Sequence, residues 1–184
     1  MLDRDFFDRP TLTVARDLIG CLLVHEVRGR ARTGMIVETE AYDGFRDAAS
    51  HAARGRTRRN APMYGPPGRA YVYLIYGIYH CLNLVTREEG YPAAVLIRAV
   101  EPLGSLDPCS GPGRLTRALG IDLRHNELDV TRPPLYVLPR QQPVRRVIRT
   151  PRIGVDYAGE WARKRWRFVD PASAGLSVRP GRSR

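Results

Sequence analysis

Two rhythms of apolar and polar positions run through the chain. In residues 8–20, Val14, Leu18 and Ile19 recur at helical spacing behind an entry proline, Pro10, and ahead of Gly20, which predicts a first helix. Residues 21–27 form a mostly apolar β-run, Arg28-Gly29-Arg30 reads as a turn, and residues 34–42 as a second strand paired with the first in a hairpin. Residues 43–69 are rich in Gly, Pro, Arg and Ala and predict a long surface loop with one short helical stretch around 47–53; long basic loops are often functional. Strand patterns resume over 71–76, 79–86 and 93–101, with turns at Gly77 and 88–90, so the centre is a meander. Residues 110–120 open on a glycine-proline turn and stop at Gly120, predicting a short helix; weaker strands follow at 135–138 and 166–169, and 179–184 reads as a frayed basic tail. With no repeat, no linker and no regular βαβ alternation, the pattern predicts a single α+β domain over residues 1–184 with a largely antiparallel sheet.

Composition narrows the partners. At 43% hydrophobic and 27% charged, the 184 residues are ordinary globular protein, which excludes a wholly disordered basic chain. The net charge is +11, and of the 30 lysines and arginines only Lys164 is a lysine, a choice favouring planar bidentate donors suited to phosphate. No apolar run approaches the roughly 20 residues that span a bilayer, and the start Met-Leu-Asp-Arg-Asp lacks a basic-then-apolar leader, so a cytoplasmic protein with no membrane contact is expected. Cys21, Cys81 and Cys109 are too far apart for a disulfide framework or zinc motif, and the four histidines show no i, i+4 pairing; no metal is expected.

Ile36-Val37-Glu38-Thr39-Glu40-Ala41-Tyr42 is the most unusual segment. Strand periodicity sends Glu38, Glu40 and Tyr42 to one face and Val37, Thr39 and Ala41 to the other. In so cationic a chain the acidic pair is either a solvated face paired with arginines or an acid–base site, and spacing alone does not separate the two. Tyr71-Val-Tyr-Leu-Ile-Tyr-Gly-Ile-Tyr79 places four tyrosines around a glycine turn, with Tyr73 and Tyr76 on opposite faces, so that one can face a pocket while the other caps the tip. Such aromatics beside a basic surface suit base stacking or wedging between base pairs, although core packing explains any single tyrosine as well. Asn83 and Arg98 are polar residues within apolar strands and need partners; a satisfied core Asn and an Arg98–Glu38 pair are the plainer account, and His51 reads as a helix-surface histidine. Arg54, Arg56, Arg58 and Arg59 form a basic loop suited to tracking phosphates.

Together, Val37-Glu-Thr-Glu-Ala-Tyr42, Ala48-Ala-Ser-His51, Arg58-Arg-Asn60, Tyr71-Val-Tyr-Leu-Ile-Tyr-Gly77, Cys81-Leu-Asn83, Val95-Leu-Ile-Arg-Ala-Val-Glu-Pro102, Cys109-Ser-Gly-Pro112 and Ala158-Gly-Glu-Trp-Ala162 resemble, in order, the alkyladenine-type 3-methyladenine DNA glycosylase family, also called methylpurine DNA glycosylases. The resemblance implies a curved sheet with a β-hairpin that inserts into DNA, and a cofactor-free monomer that flips damaged purines out of double-stranded DNA in base excision repair and hydrolyses the N-glycosidic bond. By position, Glu40 resembles the general base, and Arg98 and the backbone carbonyl of Ile153 the groups that hold its water. Tyr42, His51 and Tyr73 resemble the residues sandwiching the base, with Leu96 beside it. Asn83 matches the residue that disfavours guanine, and Tyr76 the side chain that fills the gap left in the helix. The chain lacks the N-terminal extension of animal members, is short over 103–108, and has Asp156-Tyr157 where some members have Gly-His, which places it on the compact, bacterial side of the family.

The lone lysine adds a point of chemistry. A lyase needs an amine to form a Schiff base with the sugar, and Lys164, also a candidate phosphate contact, is the one side-chain amine, far in sequence from Glu40; a monofunctional hydrolase is expected. Two rivals stay open at this level. A non-catalytic DNA- or RNA-binding module accounts for the charge and tyrosines but not for Glu40; a hydrolase of a free nucleoside or sugar accounts for Glu38 and Glu40 but not for the arginines.

Overall fold

A computed structural model describes residues 1–181, so residues 182–184 of the expected tail lie outside it. Its frame is one curled antiparallel sheet of nine strands among the described residues, an α+β fold with a few short helices. The strands are β1 (Leu22–Val27), β2 (Arg30–Asp43), β3 (Ala70–Ile75), β4 (Tyr79–Val85), β5 (Ala93–Leu103), β6 (Thr131–Arg132), β7 (Leu135–Leu138), β8 (Ile148–Thr150) and β9 (Arg167–Val169). They run in the order β3-β4-β5-β2-β1-β7-β6, with β9 joining β2 to β8.

β2 is longer than its predicted 34–42 because it has partners along both edges: β5 pairs with residues 33–43 on one side, while β1 and then β9 share the other. It is therefore the central strand. Its start is set by a two-residue turn, Arg28-Gly29, in which both residues sit at positive φ, as tight hairpins with right-handed twist require. Gly34 opposes Pro102 on β5, and a Cβ there would lie 2.5 Å from Cγ2 of the neighbouring Val100.

The helix expected over 8–20 forms over Thr11–Asp17 behind its entry proline, and a further short helix that the pattern did not predict precedes it. α1 (Arg4–Phe7) is capped by the Asp3 carboxylate on the Phe6 amide, and α2 (Thr11–Asp17) starts only after Pro10, whose extended ψ of 128° bars helix before it. α3 (Pro112–Leu119) matches its predicted span and ends at Gly120 in the left-handed region. The short helix expected over 47–53 is a 3₁₀ turn, His51–Arg54, because Asp47 turns inward and Ser50 provides the cap. Further 3₁₀ segments at Ala61–Tyr64, Leu123–His125 and Asp156–Arg163, and the short strands β6 and β8, carry too little periodic signal to be read beforehand.

The helices pack on one face of the sheet. Val14, Leu18 and Ile19 of the α2 region and Leu115 and Leu119 of α3 meet Leu82, Leu84, Val95 and Ile97 in the main core. The alternate residues of the same strands, Asn83, Val85, Ala94 and Leu96, point to the opposite face, where Met63, Tyr71, Ala49, Val155 and Ala158 build smaller clusters. Burial on both faces makes these strands near-continuous apolar runs and leaves one side free to hold a cavity.

Candidate active site

Three central strands lay down the floor of that cavity by register alone. Asn83 on β4 opposes Leu96 on β5, and Leu96 opposes Glu40 on β2, so the three share a row and a face. One step along, Val85, Ala94 and Tyr42 form a parallel row, and Tyr71 and Tyr73 of β3 lie across from Asn83 and Cys81.

A paired irregularity between β2 and β5 interrupts this order. Ile36 opposes Val100, Glu38 opposes Ala99 and Thr39 opposes Ile97, so Val37 is extra on one strand and Arg98 on the other. This corrects the simple alternation expected for 37–42: Val37 packs with Ala99, Val169 and Leu176, whereas Ile36, of opposite parity, shares the main core with Ala41. It also frees Arg98 from pairing, and the side chain reaches both glutamates, with Nε 3.0 Å from Glu38 and Nη1 3.5 Å from Glu40. Neither glutamate is solvated; both are 0% exposed, which removes the solvated-face reading while keeping its arginine pairing.

Glu40 is held from three sides. Its Oε1 accepts from the backbone N–H of Ile153 at 2.8 Å and its Oε2 from the Tyr42 hydroxyl at 2.8 Å, with Arg98 beside it. The Ile153 group that bonds Glu40 is its backbone N–H. Burial first, and the Glu40 charge second, push the Tyr42 phenol well above its ordinary value, so it stays protonated and remains a donor. Burial alone would depress Arg98, but the Glu40 and Glu38 charges outweigh it and hold the guanidinium above its ordinary value.

In front of this acidic centre lies a cavity of about 240 Å³ lined by Tyr42, His51, Tyr73, Asn83, Leu96, Arg98 and Ile153, with Tyr76 and Tyr157 at its rim. Its size suits one planar heterocycle better than the roughly 300–1,000 Å³ of a drug-sized site. Glu40 does not itself line the cavity; its partners Tyr42, Arg98 and Ile153 do, which sets the carboxylate directly behind the wall. His51 is exposed at the start of its 3₁₀ turn, as expected of a surface histidine, yet its Nδ1 lies 2.9 Å from the Tyr71 hydroxyl and its ring centroid 4.7 Å from that of Tyr73. Partial desolvation of the ring, then the Arg59 charge, hold His51 below its ordinary value, so the imidazole is neutral near pH 7. Asn83 donates from Nδ2 to the Tyr71 carbonyl, so the core-satisfied account and cavity lining both hold. The Cys81 thiol on the wall is raised by burial and is no thiolate.

Tyr76 stands at the tip of the β3–β4 hairpin, 83% exposed, with Ile78 and Tyr79 exposed next to it. Tyr76 and Gly77 both have positive φ, a conformation that costs a tyrosine energy and is sustained where structure or function demands it. Arg54, Arg56, Arg58 and Arg59 are all exposed on the loop following His51; Arg59 also donates to the Leu74 carbonyl, and its guanidinium lies 5.2 Å from the Tyr73 ring centroid. Lys164 is exposed, 5.4 Å from the Trp161 ring centroid, and does not line the cavity.

Two structural supports of the site had no role assigned from sequence, although Asn60 stands in the Arg58-Arg-Asn60 motif. Asn60, buried, donates to the carbonyls of His51 and Gly55 and fixes the loop that presents His51. Arg152, next to Ile153, makes two bonds to Asp47, at 2.6 and 2.8 Å, and one to the Ala41 carbonyl, with its guanidinium 4.8 Å from the Tyr42 ring centroid. Buried charges need partners, but only the fold says which. Among the described residues no cluster of His, Cys, Asp and Glu could hold a metal ion, and no helix is long and apolar enough to cross a membrane.

Comparison with known proteins agrees with this geometry. A family model described as methylpurine-DNA glycosylase matches residues 5–174. A protein of the archaeon Methanocella arvoryzae is 50% identical over 196 aligned positions covering 98% of each chain. One of Myxococcus xanthus is 53% identical across 97% of this chain and 94% of its own, and one of Legionella pneumophila strain Corby is 46% identical across 91% and 92%. All three are provisionally named 3-methyladenine DNA glycosylase. The cavity, its acidic back wall and these matches meet on one conclusion: the chain belongs to the methylpurine-DNA glycosylase family.

Proposed function

We propose that this DNA glycosylase extrudes an alkylated or deaminated purine nucleotide, of the 3-methyladenine, hypoxanthine and ethenoadenine class, from double-stranded DNA into the cavity and hydrolyses its N-glycosidic bond. The observation that carries the reading is the Glu40 carboxylate, gripped by Ile153, Tyr42 and Arg98 directly behind an aromatic pocket. Glu40 takes a proton from water, the water oxygen bonds to the sugar C1′, and the bond electrons leave with the purine. An alkylated purine is already cationic and departs neutral; a neutral purine must gain a proton as it leaves. Arg98 and the Ile153 backbone position that water. Tyr42, His51 and Tyr73 hold the base, Leu96 packs beside it, and Asn83 crowds the exocyclic amine of guanine.

Tyr76, exposed at the hairpin tip, occupies the gap in the stack, and Arg54, Arg56, Arg58, Arg59 and Lys164 contact phosphates of the nucleoid DNA. With Lys164 off the cavity, water and not an amine attacks the sugar, and the monomeric enzyme leaves an intact abasic strand. The test is a duplex with a single hypoxanthine or 1,N6-ethenoadenine, incubated with the protein and then cleaved at abasic sites with hot alkali. Glu40→Gln is expected to bind the duplex but lose roughly two to four orders of magnitude in excision rate, the usual weight of a positioned base. Near-normal excision by this variant refutes the assignment.

A further inference from the structure

Glu38 is the charged group the reaction above leaves unused, and it is among the most heavily bonded side chains of the fold. Its Oε1 accepts from Arg98 Nε at 3.0 Å, Arg167 Nε at 2.7 Å and Ser177 Oγ at 2.7 Å, and its Oε2 accepts from the Ser177 amide at 2.7 Å. Arg167 is held in turn by Thr150 Oγ1 and the Val178 carbonyl, so the segment after β9 closes over the cluster. An arginine left alone with a carboxylate forms a two-point pair at about 2.7–2.9 Å. Arg98 instead spends its short bond on Glu38 and approaches Glu40 only to 3.5 Å.

The other groups facing Glu40 cannot take over that control. Tyr42 on its own strand, Tyr73 on β3 and Cys81 on β4 are all raised, chiefly by burial, and so are neutral. Of the other nearby cations, Arg152 is matched by two bonds to Asp47, and Arg167, opposite Glu40 in register, is engaged by Glu38, Thr150 and the Val178 carbonyl. The charge reaching Glu40 is therefore set by how Arg98 divides itself between two carboxylates. An arginine within about 4–6 Å lowers a carboxylate by about 1–3 pH units, and a close two-point pair strengthens that effect and makes the carboxylate a poorer base.

We propose that Glu38 is a positioning residue that holds Arg98 off Glu40, leaving Glu40 a usable base while keeping the guanidinium facing the cavity. The proposal rests on the general-base reading of Glu40. It is tested with the full chain by single-turnover excision of hypoxanthine from a duplex across pH. Glu38→Gln keeps an oxygen acceptor but removes the competing charge. Its acidic limb is expected to move about one pH unit lower and its plateau rate to fall roughly tenfold.

Glu38→Asp retains the charge, and its limb should stay in place. A merely structural Glu38 would lower thermal stability and leave the Glu38→Gln limb unmoved, and that result overturns the proposal. Should Glu38→Gln fail to fold, Ser177→Ala, which loosens Glu38, is expected to move the limb the same way by less; an unmoved limb again overturns it. Glu40→Gln run in parallel separates the two readings. If it is active, the general-base reading fails; if it is inactive while the Glu38→Gln limb stands still, only the role of Glu38 fails.

Discussion

Replacing Asp47 by alanine should cost this fold more than any surface change. Asp47 and Arg152 are both 0% exposed at the side chain, and removing the carboxylate strands a guanidinium that cannot lose its proton. Breaking a buried pair from one side costs about 3–5 kcal/mol, set against a total stability of about 5–15 kcal/mol for a domain. Arg152 has little reserve: its Nε already has no partner among the described residues. What remains are the Ala41 and Trp161 carbonyls and the faces of the Tyr42 and Trp166 rings. At about 2–4 °C per kcal/mol for a chain of this size, the calorimetric midpoint should drop by roughly 6–20 °C. A double variant, Asp47→Ala with Arg152→Met, should recover part of that loss because no unpaired charge is left buried. A single variant melting within about 2 °C of the parent, or a double variant no better than the single one, would refute the reasoning.

Other expectations follow from the same coordinates. Tyr76→Ala should slow excision from a duplex far more than from a single strand, since only a duplex needs the gap filled; equal losses on both would sink the wedge role. Binding should weaken steeply with salt, and removing one phosphate-contacting arginine among 54, 56, 58 and 59 should flatten the log–log slope by about one; an unchanged slope in all four single variants would exclude the loop as a phosphate contact. His25 is held below its ordinary 6.5, first by burial, then by His125 and Arg32 against the opposing effect of the Leu119 carbonyl. Its Nδ1 must donate to that carbonyl at 2.8 Å, so Nε2 accepts from His125 at 3.0 Å, with Asp122 behind His125. Because the folded value lies below the unfolded one, this contribution is full above about pH 6.5 and lost as pH falls through the folded value. The melting midpoint should therefore decline from pH 7 to 5, and less so in His25→Asn; equal declines would discount the pair.

Much of this protein was legible without coordinates because the relevant physics is local. Positive-φ turns at Arg28-Gly29 and around Gly77, the stop at Gly120 and the apolar runs of β3, β4 and β5 act over two to five residues, and those elements sit where their residues place them. The acidic-aromatic segment ending at Tyr42 and the tyrosines of β3 also stood out as unusual in residue type, though spacing alone left both a site and a paired or core role open. Where distant neighbours compete, the local reading slipped: Asp47 left its expected helix to meet a residue 105 positions away. Tertiary structure alone decided what makes the site chemical. The offset that frees Arg98 needs two strands to be out of step, and the Ile153 amide reaches Glu40 across 113 positions. The burial that takes Glu38 and Glu40 out of bulk solvent exists only once the sheet has partners on both edges. No period in a sequence carries such contacts, because they depend on which distant groups a closed interior leaves without water.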